Sequence, residues 1–278
     1  MITLSSPLVL LLLLTVLGGE FTYVVQRGDS LTSIGARFGV EVRVIAEANH
    51  LKVDSRLEIG QSLRIDNRHV APESNGADIV INVPQRMLSY FREGMVVRQY
   101  PIAAGKPTWQ TALGAFSVVT METDPVWDVP ASIQEEMRKQ GKRVVTRVPP
   151  SPENPLGAFW IGLSIPGLGI HGTNQPTSIY KLQTHGCVRL YPDDIRDLFS
   201  KVHVGAIGRI IYEPVLLTKA GGGVFLEVHR DPYRKAADPL HRVREMAQAA
   251  GLSDVVDWRL VQEVVRKSEG IARNVTFR

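Results

Sequence analysis

Apolar and polar positions along the chain fall into successive rhythms. From Leu8 to Leu17 nearly every position is apolar, and Gly18-Gly19 ends the run. The run is short for a membrane-spanning helix, which needs about 20 apolar residues. It suits the hydrophobic core of an export signal over residues 1–20, with an uncleaved amino-terminal anchor as the alternative. From residue 21 the pattern shortens. Tyr23-Val24-Val25 reads as a strand and Arg27-Gly28-Asp29 as a turn. Ser30 caps a helix that carries Leu31, Ile34 and Phe38 on one face and Gly39 past its end. Val42 to Ala48 predicts a second helix ended by Asn49, and Ser62-Leu63-Arg64-Ile65 an alternating strand. Residues 21–67 thus predict a small β-α-α-β unit.

Residues 68–77 are polar, carry Pro72 and Gly76, and read as a linker. Alternation of period two then takes over. Ile79–Val83, Arg86–Phe91 and Val96–Tyr100 predict strands, with Glu93-Gly94 as a hairpin turn. Pro130 and Gly141 bracket a charged helical insert from Ser132 to Lys142. Phe159–Leu163 and Gly205–Tyr212 predict further strands. Pro192 suits the first position of a helix, whose amino end favours the charges of Asp193, Asp194 and Asp197, so those acids read as helix features and not as a metal site. A mainly β domain over residues 78–213 follows. In residues 214–278, Val224–Val228 predicts a strand. Pro239–Ala250 and Val256–Arg266 predict helices around Gly251, forming a partly helical appendage.

Composition changes this picture little. The 278 residues are 44% apolar and 22% charged, ordinary values for a folded chain with room for two domains and an appendage. A net charge of +4 suits an anionic polymer or surface, and no basic stripe interleaved with aromatics points to nucleic acid. The single cysteine, Cys187, excludes an intramolecular disulfide and cysteine-rich zinc spacing. No cofactor motif is present, and the oligomeric state is left open.

The chemistry concentrates between Gly169 and Tyr191, GIHGTNQPTSIYKLQTHGCVRLY. A lone cysteine is most often a small buried hydrophobe. Here, however, Cys187 lies between Gly186 and Val188-Arg189, and a second His-Gly pair, His171-Gly172, precedes it. A cation lowers a thiol pKa, glycine admits close backbone approach, and an imidazole can take the thiol proton. Spacing alone does not show that His171 and Cys187 meet.

These residues carry a resemblance. His171-Gly172, followed by Thr184-His185-Gly186-Cys187-Val188-Arg189, resembles the active-site motif of the L,D-transpeptidases, the YkuD-type catalytic domain. Thr111-Ala112-Leu113-Gly114-Ala115-Phe116 is similar to an upstream family segment, with Ala112 where proline is usual. Pro155-Leu156-Gly157 with Phe159-Trp160, and Trp127 with Pro130, also fit. The amino-terminal unit resembles a LysM domain through Tyr23-Val24-Val25, Gly28-Asp29-Ser30-Leu31, Asn49 and Leu57–Leu63. The fold implied is a YkuD-like mixed β-sandwich, mainly β, joined to a β-α-α-β LysM module.

The resemblance implies that Cys187 is the nucleophile and His171 the proton donor and acceptor. Backbone N–H groups of Gly186 and Cys187 would form the oxyanion site, with His185, Arg189, Thr184 and Gly172 shaping the site or holding substrate. It further implies attack on the diaminopimelate–D-Ala bond of a peptidoglycan tetrapeptide stem, a thioester, and transfer to an amine. The product would be a 3→3 cross-link or an attached lipoprotein. Gly28, Asp29, Ser30, Leu31 and Asn49 would contact glycan strands, and the protein would work in the periplasm or cell envelope. Two rivals stand beside this reading: a cysteine peptidase that hydrolyses stems or attached lipoprotein, and a wall-binding adaptor without catalysis.

Overall fold

The computed structural model describes residues 16–277. Most of the expected export signal therefore lies outside the described residues. Among the described residues, no helix is long and apolar enough to cross a membrane.

Three units are built side by side. The first opens with β1 (Val16–Leu17), β2 (Glu20–Val24), α1 (Leu31–Phe38), α2 (Val42–Ala48) and β3 (Ser62–Asp66), followed by β4 (His69–Val70). Ser30 caps α1 through a reciprocal pair with Ser33, and Gly39 ends the helix in the left-handed region at φ 69°. β2 and β3 pair antiparallel, and the two helices bury Leu31, Ile34, Val44 and Ile45 against Leu63 and Ile65. This is the predicted β-α-α-β unit. The expected linker is different from its sequence pattern. His69 and Val70 pair with Leu17 and Val16, and His69, Val70 and Ala71 are buried, so this stretch is woven into the body.

The second unit runs through β5 (Ile79–Asn82), β6 (Met87–Arg92), β7 (Met95–Gly105), β8 (Gly114–Thr123), β9 (Trp127–Asp128), α3 (Ala131–Lys139) and β10 (Arg147–Val148). It continues with β11 (Phe159–Leu163), β12 (Gly169–His171), a 3-10 turn (Pro176–Ser178), β13 (Leu182–Thr184), β14 (Val188–Leu190), α4 (Pro192–Phe199) and β15 (Ile207–Ile211). The mixed sheet closes on itself. The order β7-β14-β12-β11-β8-β15-β5-β6 returns to β7, whose first half pairs with β6 and whose last residues pair with β14. β7 has the length to serve both edges, and closure removes the free edges of an open sheet. Ile79, Ile81, Tyr100, Ile102, Ile161, Ile170, Val188 and Leu190 fill the interior with Ile195 and Leu198 of α4. Each such aliphatic side chain contributes about 1.5–3 kcal/mol by leaving water.

The third unit, from Pro214, is more than an appendage. β16 (Val215–Ala220), β17 (Gly223–Val228) and β18 (Arg273–Asn274) form one sheet, with α5 (Pro239–Ala249) and α6 (Trp258–Lys267) packed around a core of Leu217, Leu226, Val228, Val243 and Val261. The second helix starts later than expected, because Val256 bridges to Thr276 and Asp257 caps the helix by accepting from Arg259 and Leu260 N–H. All three units are fastened together. Glu41 pairs with Arg86 at 2.7 Å, Asp66 with Arg273 at 2.7 Å, and Ile271 is buried in the first unit's core.

Candidate active site

The register between β12 and β14 sets the geometry. They run parallel, with Ile170 beside Val188 and His171 beside Arg189. Ile170, Val188 and Leu190 enter the barrel core, so alternation puts His171 and Arg189 on the opposite face. Cys187 stands one residue before β14 and falls on that same face, next to Gly169, whose N–H is directed at its sulfur. In that register Cys187 falls two positions before Arg189, the residue beside His171.

The His171 ring is 4% exposed, and its Nδ1 donates to the Gly172 carbonyl at 2.7 Å. A carbonyl only accepts, so the proton sits on Nδ1, and the Leu156 carbonyl is a second backbone acceptor against the ring. The third group that orients the histidine is therefore the backbone of Gly172. Trp160, paired with His171 across β11 and β12, stacks on the ring at 5.8 Å and 26°. Its indole lies over Gly169, where a Cβ would come within 2.2 Å of it. Only glycine leaves room for that packing.

Burial governs the protonation of the pair. It drives the His171 pKa down to about 3, helped by the positive charge of Arg189, and pushes the Cys187 thiol up from its ordinary value. Arg189 does act to lower the thiol pKa, as its sequence position predicts, but burial is the larger effect. At neutral pH the resting pair is a thiol and a neutral imidazole. The thiol is only half-buried and reaches the Gly167 carbonyl at 3.6 Å. Arg189 is also partly buried, with its Nε unpartnered among the described residues.

The turn before the cysteine is held by threonines. Thr184 Oγ1 donates to the Cys187 carbonyl at 2.6 Å and accepts the Gly186 N–H at 3.2 Å. Thr111 Oγ1 donates to the Gly186 carbonyl at 2.7 Å and accepts the Gly105 N–H at 2.8 Å. Gly186 takes φ 109°, open to glycine alone without strain. Of the two expected oxyanion donors, the Gly186 N–H is thus already engaged. His185 turns toward the helical insert: Nε2 meets the Glu136 carboxylate of α3, Lys106 Nζ lies 3.4 Å away, and the Trp109 ring meets it edge-on at 4.6 Å.

Several of the expected glycan residues are committed to the frame of the first unit. Asp29 accepts from Tyr23 Oη at 2.7 Å and Gln26 N at 2.8 Å. Leu31 is buried in the core, and Asn49 bridges Ile45 O, Arg64 O and Arg64 N. These contacts help hold the surrounding loops, Asp29 through its Oδ2 alone. Gly28, at φ 91°, has open space about it.

Fold and site define a class: a closed β-barrel with a thiol and a neutral imidazole on one face, joined to a β-α-α-β module. The model for the L,D-transpeptidase catalytic domain (YkuD) matches residues 76–216, and that for the LysM domain residues 23–66. The Salmonella typhimurium protein named "Probable L,D-transpeptidase ErfK/SrfK" is 33% identical over 259 residues, 88% of this chain and 82% of that one. Its Escherichia coli K12 namesake is 31% identical over 228 residues, 80% of this chain and 73% of that one. The solved catalytic domain of the E. faecium L,D-transpeptidase is 21% identical with a TM-score of 0.36, over 49% of this chain and 96% of that chain. This chain belongs to the L,D-transpeptidase family, with a LysM domain ahead of its YkuD-type catalytic domain.

Proposed function

We propose that the protein is an exported, cysteine-dependent transpeptidase that acts on peptidoglycan stem peptides in the cell envelope. The observation that carries this reading is the placement of Cys187 and His171 on one face, with the imidazole proton held at Nδ1 by Gly172. Nε2 takes the thiol proton as Cys187 Sγ attacks the carbonyl of diaminopimelate in a tetrapeptide stem. The tetrahedral intermediate collapses to a thioester, and the imidazolium returns its proton to the departing D-alanine amine. The amine of a second stem attacks the thioester, loses its proton to Nε2, and frees the thiol with a 3→3 cross-link formed. A lipoprotein lysine would enter by the same step. The steps call on no cofactor.

The Cys187 N–H serves as oxyanion donor, while the Gly186 N–H joins it only if it releases Thr184. Arg189, without an acidic partner among the described residues, suits a stem carboxylate. The LysM unit holds glycan strands through the loops around Gly28 and residues 50–57, with Asp29, Ser30, Leu31 and Asn49 shaping them.

Incubation with disaccharide-tetrapeptide and mass analysis of the products tests the reading. Transfer gives a dimer lacking one D-alanine. Tripeptide alone identifies a hydrolase instead, and a full yield of either product from Cys187→Ala rejects the assigned nucleophile.

A further inference from the structure

The Cys187 turn receives its last support from a residue beyond the barrel strands. Tyr233, in the third unit, is 5% exposed and lies in the barrel's own hydrophobic cluster. Its hydroxyl donates to the Gly105 carbonyl at 2.6 Å and accepts the Thr111 N–H at 3.2 Å. Those two residues are the ones that hold the turn: Thr111 Oγ1 joins the Gly105 N–H to the Gly186 carbonyl, and Lys106 N–H reaches the Thr184 carbonyl at 3.0 Å. A continuous chain of hydrogen bonds therefore runs from the Tyr233 hydroxyl, through Thr111, to the residue preceding the nucleophile.

Tyr233 is itself fixed. Its ring stacks on Tyr212 at 5.3 Å, and its N–H donates to the Tyr212 hydroxyl at 2.8 Å, which in turn donates to Asp231 at 2.5 Å. Gly105 packs tightly against the same loop, where a Cβ would stand 2.3 Å from the Trp109 carbonyl and 2.6 Å from the Thr111 nitrogen. A buried hydroxyl making two such bonds between backbone groups fixes their separation.

We infer that Tyr233 is a positioning residue for the Cys187 turn, so that the segment after the barrel sets the angle at which the thiol meets the imidazole and the substrate. The inference rests on the proposed role of Cys187, although its geometric content does not. Removing the hydroxyl leaves the Thr111 N–H and Gly105 O unpaired in a dry site. The Thr111 to Gly186 link then loosens, and the sulfur and its oxyanion donor drift from the attacking geometry.

The test compares Tyr233→Phe, which keeps the stacked ring, with Thr111→Val, which keeps the shape and loses the hydroxyl, and with the double variant. Two readouts are taken on the full chain: kcat and KM on disaccharide-tetrapeptide, and the rate of Cys187 alkylation by iodoacetamide across pH. Y233F is expected to lower kcat about tenfold, the worth of one good hydrogen bond, with KM changed less than about twofold. Its alkylation profile is expected to differ from that of the parent while the protein still melts cooperatively. The double variant is expected to lose less than the product of the two single losses, because both break one chain. Thr111→Ser, which restores the hydroxyl, is expected to recover most of the rate. Parental kcat and alkylation in Y233F, or strictly multiplicative losses, overturns the inference. Alkylation reports the turn even if Cys187 proves not to be the nucleophile, so the two failures remain distinct.

Discussion

At Cys187 burial disfavours the thiolate, while the Gly169 N–H and then the Arg189 charge favour it, and burial is the largest of the three. At His171 burial and the Arg189 charge both favour the neutral ring, taking its pKa to about 3. A neutral pair reacts by transferring the proton as the bond forms, so kcat/KM is expected to stay flat between about pH 5 and pH 8, without an inflection near the ordinary histidine value of about 6.5. A pH–rate profile with a clear step at that value would show a charged resting pair. The same shift bears on stability. The unfolded chain binds a proton at His171 below about pH 6.5 that the folded chain refuses down to about pH 3, so stability is complete above that window and falls as pH drops through it. Melting temperatures measured across the window are expected to fall less steeply in His171→Phe. Cys187 stands out in the sequence as the single cysteine, set in His185-Gly186-Cys187, whereas His171 is singled out only by the family resemblance, since spacing alone does not bring the two together. Trp160 does not stand out: a tryptophan in a β-prone run reads as core, and its stacking on His171 depends on a register between strands that no local pattern records.

Among the elements, β12 and β14 matter most and were the hardest to read, since each has three residues, too few to display a period. What aligns them is a parallel pairing across the loop that carries the 3-10 turn, and such contacts are set by the closed barrel. Gly169→Ala tests their packing. The added methyl would lie 2.2 Å from Trp160, so a loss of about 1–3 kcal/mol is expected, read as a lower melting temperature, with slower turnover as Trp160 leaves His171. Thr184→Val tests the turn, because it removes the hydroxyl that holds Gly186 N–H and Cys187 O together. A fall in kcat of about tenfold or more is expected from one lost bond and one buried N–H left unsatisfied. An unchanged kcat would show that the turn holds itself. By contrast, the insert helix α3 was legible from its charges and its bracketing proline and glycine, but its grip on His185 through Glu136 was not.

On the scale of the whole molecule, the sequence suggested beads on a string and the structure shows a knot of contacts. The reason is Glu227, fully buried in β17, which accepts from His69 Nδ1 at 2.8 Å, Val70 N–H at 2.6 Å, Gln85 Nε2 at 3.1 Å and His229 Nε2 at 2.7 Å. The other ring nitrogen of His69, Nε2, lies 2.9 Å from the Gly39 carbonyl oxygen. One carboxylate thereby ties the LysM unit, the supposed linker, the barrel and the third unit together. Its partners are scattered over the chain, and an isolated glutamate in a strand gives no sign of them. Despite its burial, these partners hold the Glu227 carboxyl down to about 2. Its contribution is present above about pH 4.5 and is lost as pH falls toward 2. Glu227→Gln is expected to cost about 3–5 kcal/mol at neutral pH, as expected for a broken buried pair, and to melt with a shallower acid dependence than the parent. Equal melting curves for the two would remove Glu227 from this role.

The central claim is that Cys187 carries the acyl group. Intact-protein mass after mixing with tetrapeptide donor, quenched in acid before an amine acceptor is supplied, reads it directly. An adduct of the donor less D-alanine is expected on Cys187, absent from Cys187→Ala and formed far more slowly in His171→Phe. Turnover with no such adduct, or an adduct that survives in Cys187→Ala, would contradict it.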